Sequence, residues 1–465
     1  MITDCGAEAT TGIGMANKTM TNPRKNAHVK VYVETYGCTL NQADSDLISW
    51  ELRKRKYASS DSEKNADVVI INTCTVKSAT ENKIVERIRR LVAGKKPIVI
   101  SGCMSANEKL IRKIAPNAPI VGTASIFQIT NAIEDALSGI GTVYKNKEDK
   151  ETLFRPITAP IMRIPICEGC TNNCYFCQTK IARPFLFSYR PKTILRWIED
   201  GVTHGAKEIQ LTAMDTGVYG MGIKTGNETG SNLETNLPSL LSAICKTKGN
   251  FRVRLGMINP QHAKRMCEQL ISAMTHKKMY KFLHVPVQSG SERVCRDMNR
   301  KHTVKDFVAV AEAARKKIPN ITIATDIIVG YPTETEADFE DTVRLMEKVK
   351  PEIVNVSKFS PRDGTIARGI KQLSTQVVKG RSVRLTAVVR KIGAEKNKKF
   401  LGRIVEVLIT GRRKQHGVRH SGDYTGRTIE YRQVAVKGFT GKIGDWVNVR
   451  IARTNYSGLV GITPT

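Results

Sequence analysis

The chain has no apolar run of about 18 residues, which excludes a transmembrane helix by sequence. Its first twenty residues, MITDCGAEATTGIGMANKTM, lack the basic start and long apolar centre of a secretory signal. Acidic charge is scarce: 43 Asp+Glu stand against 74 Lys+Arg, a net charge of +31. That excess is too large for an ordinary solvated surface and implies a polyanionic partner, most simply nucleic acid. The 11 cysteines are an odd number in a long chain whose start does not read as a secretory signal, so metal sites in a reducing cytoplasm are expected rather than disulfides. At 465 residues the chain is too long for one core, and two to three domains are expected.

What is present centres on CEGCTNNCYFCQ, residues 167–178. Cys170, Cys174 and Cys177 form C-x3-C-x2-C. Three thiolates on so short a loop can hold three irons of a [4Fe-4S] cube and leave the fourth open to a small molecule. Two plainer readings compete. A zinc site pairing Cys167 with Cys170 and Cys174 with Cys177 would need a dozen or more residues between its knuckles, and three separate them here. With 11 Cys in 465 residues, chance gives on the order of 0.006 such triplets per chain.

Residues 1–27 read as a disordered polar tail with an incidental Cys5. From Val29 to about residue 140, VKVYVETYG, ADVVIINT and KKPIVISG alternate with helical segments, as in a doubly wound parallel sheet over 28–140. Cys38, Cys74 and Cys103 each follow one of those strands directly. Parallel strands end on one edge, so the three cysteines should converge there, where such folds place their sites. Any one alone would be an unremarkable loop cysteine; the recurrence favours a second three-cysteine site. Residues 141–160 read as a linker. In 161–375, six strand candidates separated by helical stretches imply a (β/α)6 part-barrel, with the cysteine loop after its first strand, on the face where barrel sites form.

Polar residues at the other strand ends are ligand candidates. Asp215 is read either as a ligand or as a helix N-cap. Arg254 lies within an apolar strand, where a cation needs a partner. Gln288, Ser289 and Gly330 end later strands, and glycine permits a ligand's close approach. Cys167 reads as a strand residue, and Cys245, Cys267 and Cys295 as helical thiols. Residues 376–397 form a basic helix. The last stretch, 398–465, carries 13 Lys/Arg against 4 Asp/Glu in short β runs, as in a small barrel. Tyr424, Tyr431, Phe439 and Trp446 are interleaved with those charges, a pattern suited to RNA through phosphate attraction and base stacking.

The triplet, with Tyr175-Phe176 before its last cysteine, resembles the signature of the radical S-adenosylmethionine (SAM) enzymes. ETYGCTLNQADS, INTCTVKSATENK and SGCM resemble the three motifs of the methylthiotransferases, a radical SAM subgroup. HVPVQSGS, DIIVGYPTET and RDMNRKHT are similar to further family stretches, and 398–465 resembles the RNA-binding TRAM domain. Pro184 departs from the family's usual glycine. The resemblance implies two [4Fe-4S] clusters, on Cys38/Cys74/Cys103 and Cys170/Cys174/Cys177. It also implies SAM as methyl donor and radical source, with contacts from Asp215, Arg254, Gln288, Ser289 and Gly330, and Arg300 facing the second cluster or the substrate. The wording of the first motifs looks most like the archaeal and eukaryotic branch. That branch puts a methylthio group on carbon 2 of threonylcarbamoyl-adenosine at position 37 of tRNA, beside the anticodon. Other branches act on isopentenyl-adenosine or on a ribosomal-protein aspartate. The ending VGITPT carries no anchor, so an archaeal-type, cytoplasmic monomer is expected, with electron donor and sulfur source unspecified. A radical SAM enzyme with some other RNA reaction is one rival. A non-catalytic RNA-binding protein with structural metal is the other, and it leaves both triads unexplained.

Overall fold

Three consecutive apolar runs, each too hydrophobic for one solvated face, build the first sheet of the computed structural model. The structure describes residues 28–147, 150–152, 158–221, 236–415 and 418–464, and no side chain within 413–423. The expected tail with Cys5 lies outside the described residues.

The first sheet holds β1 (Lys30–Thr35), β2 (Ala58–Ser59), β3 (Val68–Thr73), β4 (Ile98–Gly102), β5 (Ile120–Val121) and β6 (Val143–Tyr144), all parallel, in the order β2-β1-β3-β4-β5-β6. Val68 and Ile70 face one helical layer with Leu47, Ile48 and Ile133. Val69 and Ile71 face the other with Ile84, Ile88 and Leu91, spaced four and three apart on one helix. Both faces are therefore covered, as the continuous apolar strands require. The strand order reverses between β1 and β3, and such a switch point opens a crevice at the strands' C-terminal ends. The stretch expected as a linker contributes β6, and Tyr144 packs against the first core. A two-residue edge strand leaves no periodicity to read.

The central domain has β7 (Ile161–Pro165), a short hairpin of β8 (Cys167–Glu168) and β9 (Phe187–Ser188), then β10 (Glu208–Thr212), β11 (Arg252–Leu255), β12 (Phe282–His284), β13 (Thr322–Val329) and β14 (Ile353–Lys358). Two parallel three-stranded sheets, β11-β10-β7 and β12-β13-β14, are joined where Val253 N donates to Lys278 O (2.7 Å) and Tyr280 N to Val253 O (2.9 Å). The result is the expected six-stranded part-barrel. Alternation sends Ile164, Leu211, Leu255 and Ile323 outward into one helix-covered core. The open side beside β7 is flanked by the first domain's helix Thr39–Lys54, with Arg163 Nη1 3.0 Å from Asp46.

The basic helix Thr375–Lys398 buries Leu385 and Ile392 in that same core. Beyond it β15 (Ile404–Gln415), β16 (Val418–Thr428), β17 (Gln433–Lys437), β18 (Trp446–Thr454) and β19 (Leu459–Ile462) close a barrel in the order β15-β16-β17-β19-β18. Its turn at Ile429–Tyr431 packs onto the start of the central strands. Lys281 N donates to Ile429 O (2.8 Å) and Tyr431 Oη to Glu208 Oε1 (2.8 Å). Among the described residues no helix is long and apolar enough to cross a membrane.

Candidate iron–sulfur and SAM site

The crevice at the switch point is built from three strand ends. Gly37 (φ +106°) and Gly102 (φ +82°) set Cys38 and Cys103; a Cβ on Gly37 would lie 2.9 Å from Cys74 Sγ. Asn41, in the first turn of Thr39–Lys54, touches all three ends. Its amide donates to Tyr36 O (3.0 Å) and Thr73 O (2.6 Å), and its carbonyl accepts from Cys103 Sγ (3.5 Å). Cys74 and Cys103 are buried and Cys38 is exposed. Burial pushes the Cys74 thiol up and the Cys103 thiol up to about 12, and the charge of the neighbouring triad cysteines adds to it.

The second triad follows β7 at the C-terminal end of the part-barrel. Gly169 (φ +76°) permits the turn into it, because a Cβ there would strike Phe185 O at 2.3 Å. Asn172 N donates to Cys170 Sγ (3.4 Å), and the backbone amides of Thr179 and Lys180 donate to Cys177. Burial and the nearby Asp215 raise the Cys170 thiol to about 12. Arg300 reaches Cys174 Sγ through Nη1 (3.4 Å) and Asn259 Oδ1 through Nη2 (2.6 Å). Asn259 Nδ2 in turn donates to Asp215 Oδ2 (2.6 Å) and lies 4.0 Å from Cys170 Sγ.

Other expected contacts fall in different places. Asp215 caps the turn Thr216–Val218, Oδ1 accepting from Gly217 N (3.0 Å) and Asn259 N (3.1 Å). Gln288 is buried with φ +75°, a conformation that costs a non-glycine residue about 1–3 kcal/mol. The Ser289 hydroxyl turns to Ser291 N (3.2 Å) and Thr342 (3.4 Å). Gly330 makes a close approach, but to Val378 of the basic helix. Arg254 stacks over Phe282 (5.3 Å) and Tyr431 (5.8 Å), at the turn of the C-terminal barrel. Cys167 bonds Asp215 O (3.4 Å) in the core, Cys245 and Cys295 are buried, and Cys267 is half-buried at a helix start. Pro184 is exposed in the loop that leads to β9. Of the aromatics, Tyr424 packs edge-on to Phe439 (5.0 Å), Tyr431 serves the domain junction, and Trp446 lies under Arg252 (4.8 Å). An aromatic that sequence reasoning passed over, Tyr456, is exposed beneath Arg390 (4.8 Å).

Iron–sulfur cubes fit these triads on chemistry. Each offers three soft thiol donors with backbone amides aimed at sulfur, the second-sphere pattern of cluster sites. Without metal, a thiol at about 12 is roughly one part in ten thousand thiolate at pH 8. Metal-free protein should therefore alkylate at Cys103 and Cys170 about a thousandfold more slowly than the same chain unfolded in urea. Peptide mass spectrometry after iodoacetamide checks this, and equal rates would contradict the burial.

Three family models match in succession: the uncharacterized protein family UPF0004 over residues 30–122, the radical SAM superfamily over 164–346 and the TRAM domain over 398–457. The radical SAM methyltransferase TsrM from Kitasatospora setae shares the fold, with a TM-score of 0.51, 12% identity, and 73% of this chain and 75% of that one covered. A protein of Archaeoglobus fulgidus named "probable threonylcarbamoyladenosine tRNA methylthiotransferase" is 39% identical over 93% of this chain and 98% of its own. The chain belongs to the threonylcarbamoyladenosine tRNA methylthiotransferase family. A Drosophila melanogaster member is 33% identical over 93% of this chain and 77% of its own. A Clostridium novyi tRNA-2-methylthio-N(6)-dimethylallyladenosine synthase is 31% identical over 96% and 99%. As a radical SAM methylthiotransferase, the protein uses two [4Fe-4S] clusters and SAM, and its substrate is a tRNA.

Proposed function

We propose that this chain places a methylthio group on carbon 2 of threonylcarbamoyl-adenosine at position 37 of tRNA, acting as a cytoplasmic monomer. The observation that carries the reaction is the pairing, within one molecule, of two cysteine triads at the C-terminal ends of two sets of parallel strands. Cys38, Cys74 and Cys103 would hold one cluster, and Cys170, Cys174 and Cys177 the other. When bound, these groups and SAM supply the electron, the radical and the sulfur needed at an aromatic C–H that offers no leaving group.

The chain's own residues position and insulate. Arg300 holds Cys174 and Asn259 together, and Asp215 fixes Asn259, so a hydrogen-bonded frame spans two of the three sulfurs on the radical side. Donors to cluster sulfurs set electron affinity. Asn41 plays the corresponding part at the other triad. Gln288 is a candidate contact for SAM. The C-terminal barrel and basic helix, part of the +31 excess, attract the tRNA backbone in a salt-dependent way.

The test is mass spectrometry of nucleosides from tRNA that lacks the modification, after anaerobic incubation with reconstituted protein, SAM, sulfide and reductant. The methylthio derivative of threonylcarbamoyl-adenosine should appear. SAM cleavage to 5′-deoxyadenosine without that product would keep the radical chemistry and overturn the substrate.

A further inference from the structure

The two triads belong to different domains, yet one buried side chain bonds to the segments beside both. Arg183 follows the radical loop, six residues after Cys177, and its side chain is 1% exposed. Nη2 donates to Asn41 Oδ1 (3.0 Å) and pairs with Asp44 of the same helix. Nη1 pairs with Glu168 (3.0 Å), two residues before Cys170. Lys150 closes the group, 3.3 Å from Asp44 and 2.8 Å from Glu168. Two cations and two carboxylates thus form a neutral buried quartet, the arrangement in which buried charge is tolerated. The adjoining backbone is fixed as well, Thr123 Oγ1 donating to Ala182 O (2.7 Å).

Asn41 is the residue that gathers the ends of β1, β3 and β4 and accepts from Cys103. A guanidinium held on Asn41 with one nitrogen and on Glu168 with the other therefore fixes one cysteine loop against the other. The planar fork does this where an ammonium, a single point charge, would not. We propose that Arg183 is a positioning residue that sets the separation of the two cluster sites and the positive charge beside the Cys103 side.

The inference rests on the two-cluster reading of the site but not on which nucleoside is modified. A Cys170→Ala/Cys174→Ala/Cys177→Ala protein should carry only the cluster of the first domain, and its potential can be read by EPR-monitored titration. In that background Arg183→Gln should move the potential to a more negative value, because a nearby positive charge is gone. Arg183→Lys, with the charge kept, should move it less. With both triads present, Arg183→Lys should bind iron at both sites but form at least about fivefold more 5′-deoxyadenosine per methylthio product, since the loops are no longer held by one fork. If Arg183→Gln does not fold, Arg183→Lys supplies the test through its product ratio. An unchanged potential in Arg183→Gln, or an unchanged ratio of 5′-deoxyadenosine to methylthio product in Arg183→Lys, would overturn the proposal. A shifted potential with no product on either adenosine would support it while contradicting the proposed substrate.

Discussion

Cys174→Ala, reconstituted anaerobically, should bind about four irons instead of about eight, release no 5′-deoxyadenosine from SAM, and leave tRNA unmodified below detection. The cysteine lies in the middle of the triplet and accepts the 3.4 Å bond from Arg300, so its loss removes one corner ligand and leaves that guanidinium held through Nη2 alone. Two thiols do not retain the cube, and the radical has no other source in the chain. The fold should hardly notice: Cys174 is half-exposed in a loop, and such truncations cost on the order of 1 kcal/mol or less. Iron assay, nucleoside analysis and a melting curve on one preparation separate these effects. Product from a well-folded variant with about four irons would contradict the assignment of this triad to radical formation.

Gly102→Ala should do the opposite, sparing radical chemistry and destroying the first domain's site. Gly102 has φ +82° and ψ −162°, a region open to glycine almost alone. An added Cβ would sit 2.3 Å from Asn72 Oδ1 and 2.4 Å from Thr73 O. Thr73 ends a strand buried on both faces, so little can move aside. Strain and overpacking together should cost about 4 kcal/mol. Because Gly102 delivers Cys103 to the crevice, iron should fall to about four while 5′-deoxyadenosine still forms. A variant with unchanged melting and about eight irons would contradict the proposed role of this turn.

The two triads were legible in the sequence for different reasons. The radical triplet is local, three thiols within eight residues. Cys38, Cys74 and Cys103 became legible through topology, since strands that run parallel must end together, and β1, β3 and β4 do. Arg254 shows where that logic stops. Its position within a strand told that it needs a partner, and the carboxylate of SAM was the expectation; it did not tell that a turn from the C-terminal barrel would bring Tyr431 beneath it. Gly330 is likewise a close approach, with Val378 as the neighbour. Arg183 carried no local signal at all. Its partner Asn41 lies 142 positions away in the chain, and a buried cation's partner across a domain junction has no periodicity to betray it. The stacking role expected for the C-terminal aromatics met the barrel's need for a core: Tyr424 and Phe439 fill it together.

The most direct test gives the reconstituted protein an equal mixture of two tRNAs, one bearing threonylcarbamoyl-adenosine and the other isopentenyl-adenosine. SAM, sulfide and reductant are supplied without oxygen, and the nucleosides are then weighed by mass spectrometry. Methylthiolation of the threonylcarbamoyl nucleoside alone, dependent on Cys174, is the expected result. Methylthiolation of the isopentenyl nucleoside instead, or of neither by protein holding about eight irons, would contradict it.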